Sequence, residues 1–272
     1  MTLFPVCPLF VPANKLDWVV KAENSQADGL ILDLEDSVPP SEKNNARDAL
    51  INYLSLKKIR KPFLIRINPL TSEEGKKDIS ALNINNKNFL GFIIPKIENP
   101  SSLSVLPKNL KVVLLIETPM ALENLGLLRE DKRVIGLALG GADLSAELGS
   151  DMSWDALLMA RSMIVLQASK HGIITIDTAF LYIDDITGLA QESSKSKSLG
   201  FDSKFAIHPK QTETIKEEFF PAKEEIEEAQ KILKAFSASK GGVISVDGKM
   251  IDEPIIKLMK KRLFQVGIDL DS

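Results

Sequence analysis

Val112-Val113-Leu114-Leu115-Ile116 is an unbroken apolar run that meets Glu117-Thr118-Pro119 without a transition. Further on, Val134-Ile135-Gly136-Leu137-Ala138-Leu139 does the same, ending at Gly140-Gly141-Ala142-Asp143-Leu144-Ser145. Continuous rather than alternating apolar residues mark strands buried on both faces, as in a parallel sheet. Such runs recur on either side of this pair. Upstream they are Pro8–Val11, Gly29–Leu34, Phe63–Ile67 and Leu90–Ile94; downstream they are Ile173–Ile176 and Lys204–Ile207. Helical periodicity fills several intervals, at Lys43–Leu56, Trp154–Lys170 and Ile186–Leu199. Eight strand–helix alternations predict an α/β fold, a (β/α)8 TIM barrel, over an open sheet. An open sheet binding dinucleotides would carry a glycine-rich turn after its first strand, where this chain has Pro12-Ala13-Asn14.

The chain has 272 residues, enough for one barrel or two small domains. The barrel is predicted over 1–220. Residues 221–272 read as an appended lid or oligomer contact: a helix at Pro221–Phe236, a hairpin within Ser239–Lys249, and a last helix at Glu253–Val266. The run Ser193–Ser198 reads as a solvated helix face. A net charge of -3 gives no reason to expect nucleic acid or a membrane surface as partner. No stretch approaches the roughly 18–20 apolar residues of a membrane span. The N-terminus lacks the basic and apolar regions of a signal peptide, and the single cysteine, Cys7, suits a reducing compartment, so a cytoplasmic location is expected.

Barrel enzymes take their catalytic groups from the C-terminal ends of the strands. Here those ends carry Asp33-Leu34-Glu35-Asp36, then Arg66 and Asn68, then Pro95-Lys96-Ile97-Glu98, then Glu117, Asp143, Asp177 and His208. Buried charges must pair or bind an ion. The carboxylates Glu35, Asp36, Glu117, Asp143 and Asp177 outnumber the cations Arg66 and Lys96, an excess that a hard divalent cation would relieve. Glu117 and Asp143 on neighbouring strands, with all-oxygen ligation and open positions, suit Mg²⁺ or Mn²⁺ better than Zn²⁺. Bland alternatives stand beside each reading. Glu117 could be a salt-bridge partner, Asp143 the N-cap of a helix over Leu144–Leu148, Arg66 a counter-ion for Asp33 or Glu35, and Lys96 and Glu98 a structural pair. His208, His171 and Cys7 read as structural. No G-x-S-x-G elbow, P-loop or G-x-G-x-x-G is present, and two distant histidines do not make a zinc site. Lys96 leaves a Schiff-base aldolase open in principle.

These residues fall within a longer ordered set: LFVP at 9–12, GLILDLEDSV at 29–38, KNNAR at 43–47, IRIN at 65–68, PKIE at 95–98, IETP at 116–119, LGGADLSAELG at 139–149, ARSMIV at 160–165, AIHPKQ at 206–211 and DGKMIDEP at 247–254. In these motifs the chain resembles the citrate lyase β-subunit branch of the HpcH/HpaI aldolase superfamily. The resemblance implies metal ligation by Glu117 and Asp143, a substrate contact from Arg66, and Glu35 and Asp36 lining the metal site through water. It implies that Lys43 and Arg47 meet the phosphates of coenzyme A. It further implies that Asp252, on a lid from a neighbouring subunit, supplies a catalytic carboxylate; Asp252 could instead simply N-cap the last helix. Where many relatives carry Arg-Ser just before the LFVP stretch, this chain has Val6-Cys7-Pro8, which would remove a cation near the barrel mouth. The expected function is a Mg²⁺-dependent lyase acting on a β-hydroxyacyl thioester such as citryl-, malyl- or citramalyl-CoA, in a homotrimer or homohexamer. The alternatives are a malyl-thioester hydrolase, a metal-dependent keto-acid aldolase, and a subunit inactive without partners.

Overall fold

The computed structural model describes residues 4–57, 59–239 and 242–268. Strands β1 (Pro8–Pro12), β2 (Gly29–Asp33), β3 (Phe63–Arg66), β4 (Phe89–Ile94), β5 (Val112–Ile116), β6 (Val134–Leu139), β7 (Ile174–Asp177) and β8 (Ser203–Lys204) form one parallel sheet in chain order. The sheet closes on itself. Ala206 bridges Leu9, the Phe10 amide donates to the Ala206 carbonyl at 2.9 Å, and the Ala206 amide donates to the Pro8 carbonyl at 3.0 Å. Along this last segment the amides alternate between the two neighbouring strands, Lys204 and Ala206 donating to the Val6 and Pro8 carbonyls and Phe205 to the Asp177 carbonyl. This is the (β/α)8 barrel expected from the alternation.

Helices α1 (Trp18–Asn24), α2 (Lys43–Leu56), α3 (Glu73–Ala81), α4 (Pro119–Glu123), α5 (Leu125–Leu128), α6 (Gly141–Leu148), α7 (Trp154–Ser169) and α8 (Ile186–Leu199) occupy the intervals, followed by α9 (Thr212–Phe219). Between β4 and β5 only a 3-10 segment forms, Pro100–Val105. Pro100 and Pro107 bracket that interval, and a proline cannot continue a helix. Side-chain caps set several starts: Ser72 accepts from the Gly75 amide, Thr118 from Ala121 and Ser153 from Ala156. The barrel interior is filled by Ile31, Leu64, Ile93, Val113, Leu115, Ala138, Ile176 and Phe205, all buried.

The chain divides into two compact units, one spanning Phe4–Lys216 and the other taking in the described residues from Glu217 onward. The second holds α10 (Lys223–Ala238), an antiparallel hairpin of β9 (Ile244–Val246) and β10 (Lys249–Ile251), and α11 (Glu253–Gln265). The hairpin expected within Ser239–Lys249 forms later, over Ile244–Ile251, and Lys240 and Gly241 of the expected stretch lie outside the described residues. Asp247 (φ 51°) and Gly248 (φ 78°) make its two-residue turn, where both positions need positive φ. Ala229, Ile232, Leu233, Ile256, Met259 and Leu263 give this unit a core of its own. Among the described residues no helix is long and apolar enough to cross a membrane.

Candidate active site

Side chains alternate along a strand, so the interior residues Ile31, Leu64, Leu115, Ala138, Ile176 and Phe205 dictate what points inward two positions later. Those positions are Asp33, Arg66, Glu117, Gly140, Thr178 and Ile207. All six line a cavity of about 510 Å³ at the C-terminal mouth of the barrel. Asp36 reaches the same cavity from the loop beyond β2, and Asp143 from the first turn of α6 beyond β6.

Asp33 and Arg66 are register partners on β2 and β3. Arg66 Nε and Nη2 donate to Asp33 Oδ1 and Oδ2, each at 2.7 Å. The third nitrogen, Nη1, lies 3.1 Å from Glu35 Oε2 and 3.8 Å from Asp36 Oδ2. The Phe10 ring backs the guanidinium, 4.8 Å from its centroid. Asp33 also shapes the loop, accepting from the amides of Glu35 and Ser37. Burial opposes the charge on Asp33, but Arg66 holds its carboxyl below the usual range, while its carboxylate neighbours raise the pKa of Arg66 against the effect of burial.

Glu117 is 1 % exposed. Its Oε1 accepts from the Lys96 amide at 2.7 Å, and Lys96 adopts φ 49°, the left-handed region that a non-glycine residue seldom takes. On its other side stands Gly140, where a Cβ would come within 2.5 Å of Glu117 Oε2. The glycine pair thus serves two ends: Gly140 clears room for Glu117, and Gly141 begins α6. Asp143 lies in the first turn of that helix, whose N-cap is Gly140. The N-cap alternative for Asp143 is thereby excluded; its carboxylate is partly exposed, with Lys96 Nζ 3.6 Å from Oδ1. Lys96 Nζ is also 4.0 Å from Glu35 Oε1, so Lys96 pairs across the mouth and not with Glu98.

The electrostatic balance favours a cation. Burial, then the charges of Asp36 and Asp33 against the opposing pull of Arg66, push Glu35 up to about 7. Burial, then repulsion from Glu35 and Asp143, pushes Glu117 up to about 8. Glu35 Oε2 is buried without a hydrogen bond, although Arg66 Nη1 lies 3.1 Å away. No closed cage of three or more acidic, histidine or cysteine ligands exists among the described residues. Two carboxylates with the remaining positions open to water and substrate are what magnesium takes in such sites. The donor set therefore fits a hard divalent cation held by Glu117 and Asp143.

Other expected site residues lie elsewhere. Arg47 is 4 % exposed, with Nε on Asp78 at 2.7 Å and Nη2 on Glu74 at 2.6 Å, so its fork is spent bolting α2 to α3. Lys43 Nζ donates to the carbonyls of Leu34 and Glu35 at 3.0 and 2.9 Å, holding the acidic loop in place. Both cations of the phosphate-binding expectation thus have partners within the barrel unit. Asp177 follows the interior residue Ile176 by one position and so faces the helix layer. There it meets Arg161 Nε at 2.8 Å and Lys204 Nζ at 2.9 Å and accepts from Ser196. It does not belong to the acidic excess at the mouth. Arg161 and Lys204, both fully buried, were not singled out in the sequence; each occupies a run dominated by neutral residues. Ser193 and Ser196 are buried as well, so the serine–lysine run is not wholly solvated.

Val6 and Cys7 lie at the N-terminal end of β1, donating to the Asp28 carboxylate at 2.9 and 2.8 Å, on the side of the barrel away from the cavity. The departure at these residues therefore does not alter the mouth. Burial pushes the Cys7 thiol far up, as befits a core residue. His208 lines the cavity and accepts from the Lys210 amide at Nδ1, and His171 follows α7 in a turn. Asp252 caps α11, accepting from the Ile255 amide at 3.4 Å.

Residues 7–209 match the family described as HpcH/HpaI aldolase/citrate lyase. The chain is 31 % identical over 253 residues to a (3S)-malyl-CoA thioesterase of Cereibacter sphaeroides, covering 90 % of this chain and 88 % of that protein. It is 30 % identical to the citrate lyase subunit beta of Haemophilus influenzae, covering 93 % of each. Among solved structures, CitE from Mycobacterium tuberculosis in complex with magnesium, acetoacetate and coenzyme A superposes with a TM-score of 0.80. That match has 28 % identity and covers 96 % of this chain and 98 % of the other.

Proposed function

Because the chain belongs to the HpcH/HpaI aldolase/citrate lyase family, we propose that its barrel mouth cleaves, and in reverse forms, the carbon–carbon bond of a β-hydroxyacyl thioester such as citryl-, malyl- or citramalyl-CoA. The chain is a metal-dependent carbon–carbon lyase of that family. The observation that carries the substrate reading is the convergence of Glu117, Asp143 and Arg66 on one cavity in a mouth where carboxylates outnumber cations.

Glu117 and Asp143 would hold magnesium. When bound, the ion supplies Lewis acidity to the hydroxyl and carboxylate of the substrate or to the keto-acid product. Arg66 presents Nη1 beside the cavity, and its charge stabilises oxyanion character developing on the thioester oxygen as the bond breaks. Asp33 locks the guanidinium in one orientation for that task. Glu35 and Asp36 orient water at the rim of the metal site, and that water takes up the proton the substrate hydroxyl loses as the carbon–carbon bond breaks. Protonation of the thioester fragment at carbon falls to Asp252, supplied by a neighbouring chain in a homotrimer or homohexamer; its place on the appended unit supports this. The lone Cys7 supports a cytoplasmic setting.

A panel of thioesters assayed with and without Mg²⁺ for keto-acid release tests the reading. Release that is Mg²⁺-dependent and lost in Asp143→Ala is expected; none from any thioester would overturn it. The thioesterase relative favours a second outcome, in which condensation is followed by hydrolysis. Incubation with acetyl-CoA and glyoxylate separates the two, since only the hydrolase accumulates free thiol.

A further inference from the structure

The helix that carries Asp143 begins without a side-chain cap, because its N-cap is Gly140. The first amides of a helix have no partner within it. One of them, that of Gly141, donates to Thr178 Oγ1 at 3.1 Å. Gly141 and Thr178 fit closely: a Cβ on Gly141 would come within 2.8 Å of the hydroxyl oxygen. One residue earlier, the Gly140 amide donates to the Ile116 carbonyl at 2.9 Å, next to Glu117. The start of α6 is therefore pinned on the Glu117 side by backbone and on the far side by a single hydroxyl.

Thr178 is itself braced from outside the barrel. Its carbonyl accepts from Lys204 Nζ at 2.7 Å. Lys204 is fully buried and also bonds to Asp177 at 2.9 Å and to Glu192 at 2.7 Å. A continuous path runs from this buried ion cluster through Thr178 to the first turn of α6, two residues short of Asp143.

We propose that Thr178 is a positioning residue for the cation site, fixing the distance between the Asp143 and Glu117 carboxylates through the Gly141 amide. The inference rests on the reading that these two carboxylates hold the metal. Without the hydroxyl, the Gly141 amide is buried without an acceptor, and the helix start shifts to find one. Two carboxylates set at the wrong separation bind a small, geometrically demanding ion poorly.

The test uses Mn²⁺ alone as probe, with affinity read from the paramagnetic resonance signal of the free ion. Thr178→Val preserves shape and removes the acceptor; Thr178→Ser restores it. Losing a hydrogen bond that orients a metal-ligating group weakens metal binding by at least about tenfold. The valine variant should show that loss, and the serine variant should bind within about threefold of wild type. Should the valine variant fail to fold, Thr178→Ala carries the same expectation. Wild-type affinity in a folded variant lacking the hydroxyl would overturn the positioning role. Wild-type affinity in Glu117→Ala would overturn the metal reading itself, and the inference with it.

Discussion

Asp33 and Arg66 stand opposite each other at the ends of adjacent strands, and the carboxylate takes two of the guanidinium's nitrogens at 2.7 Å each. Only Nη1 remains on the side of Glu35 and Asp36. Arg66 therefore serves as a counter-ion, one alternative read for it, and still presents one edge at the cavity. A lysine keeps the charge but cannot span Asp33 while also reaching outward. Arg66→Lys is expected to lower kcat/KM by about 10²–10³, the range for loss of an oxyanion donor, while folding cooperatively. Thioester cleavage kinetics and a thermal melt check this; activity within a few-fold of wild type would reduce Arg66 to its structural pairing.

Glu117 and Asp143 can be tested through stability as well as activity. In wild type, Mg²⁺ should raise the melting temperature, and that rise should vanish in Glu117→Ala and in Asp143→Ala. Without metal and above about pH 8, where Glu117 is charged, Glu117→Ala should melt at or above the wild-type temperature, since it removes a buried charge repelled by Glu35 and Asp143. A buried salt-bridge partner behaves oppositely, costing about 3–5 kcal/mol when lost. Equal Mg²⁺ responses in all three proteins would refute the assignment.

Gly140→Ala probes the same site without removing a ligand. The new Cβ would come within 2.5 Å of both Cβ and Oε2 of Glu117, so the whole side chain and the backbone that carries it must shift. Calorimetric titration with Mg²⁺ should show affinity weakened at least about tenfold, from displaced ligand geometry. Unchanged binding would mean that Glu117 has slack which its close packing does not suggest.

The raised carboxylates set a pH dependence. Glu35 at about 7 and Glu117 at about 8 titrate well above the range of an unfolded glutamate. Between the unfolded and folded values the native state binds more protons. Metal-free stability contributed by these groups therefore falls as pH rises toward 8. A bound cation competes with those protons, so Mg²⁺ affinity should climb over the same interval. Calorimetric melts at about pH 6 and about pH 8.5, with chelator and with Mg²⁺, should show a widening gap between the two conditions. A gap that narrows with pH would contradict the electrostatics of the mouth.

Arg47 is expected to behave as a structural residue. Arg47→Ala strands the fully buried Asp78 and should cost about 3–5 kcal/mol, seen as a lowered denaturation midpoint. KM for a CoA thioester should stay within about twofold of wild type. A KM raised tenfold with stability unchanged would restore the phosphate-binding role implied by the family resemblance.

The contrast between Glu117 and Asp177 shows how far the residues alone could be read. Each is a carboxylate that ends an apolar run, and the apolar runs were enough to predict a parallel barrel with chemistry at the strand ends. Glu117 lies two positions past the interior residue Leu115 and points into the cavity. Asp177 lies one position past the interior residue Ile176 and points outward, into a cluster with Arg161 and Lys204. A strand buried on both faces must be apolar at every position, so the run that reveals the strand erases the alternation that would tell inside from outside. The partners of Arg47 come from a different helix, at Glu74 and Asp78, and Lys43 spends its ammonium on the carbonyls of Leu34 and Glu35. Composition and spacing supply the charges along the chain; which of them neutralise one another, and which are left facing the cavity, follows from strand facing and helix packing once the barrel has closed.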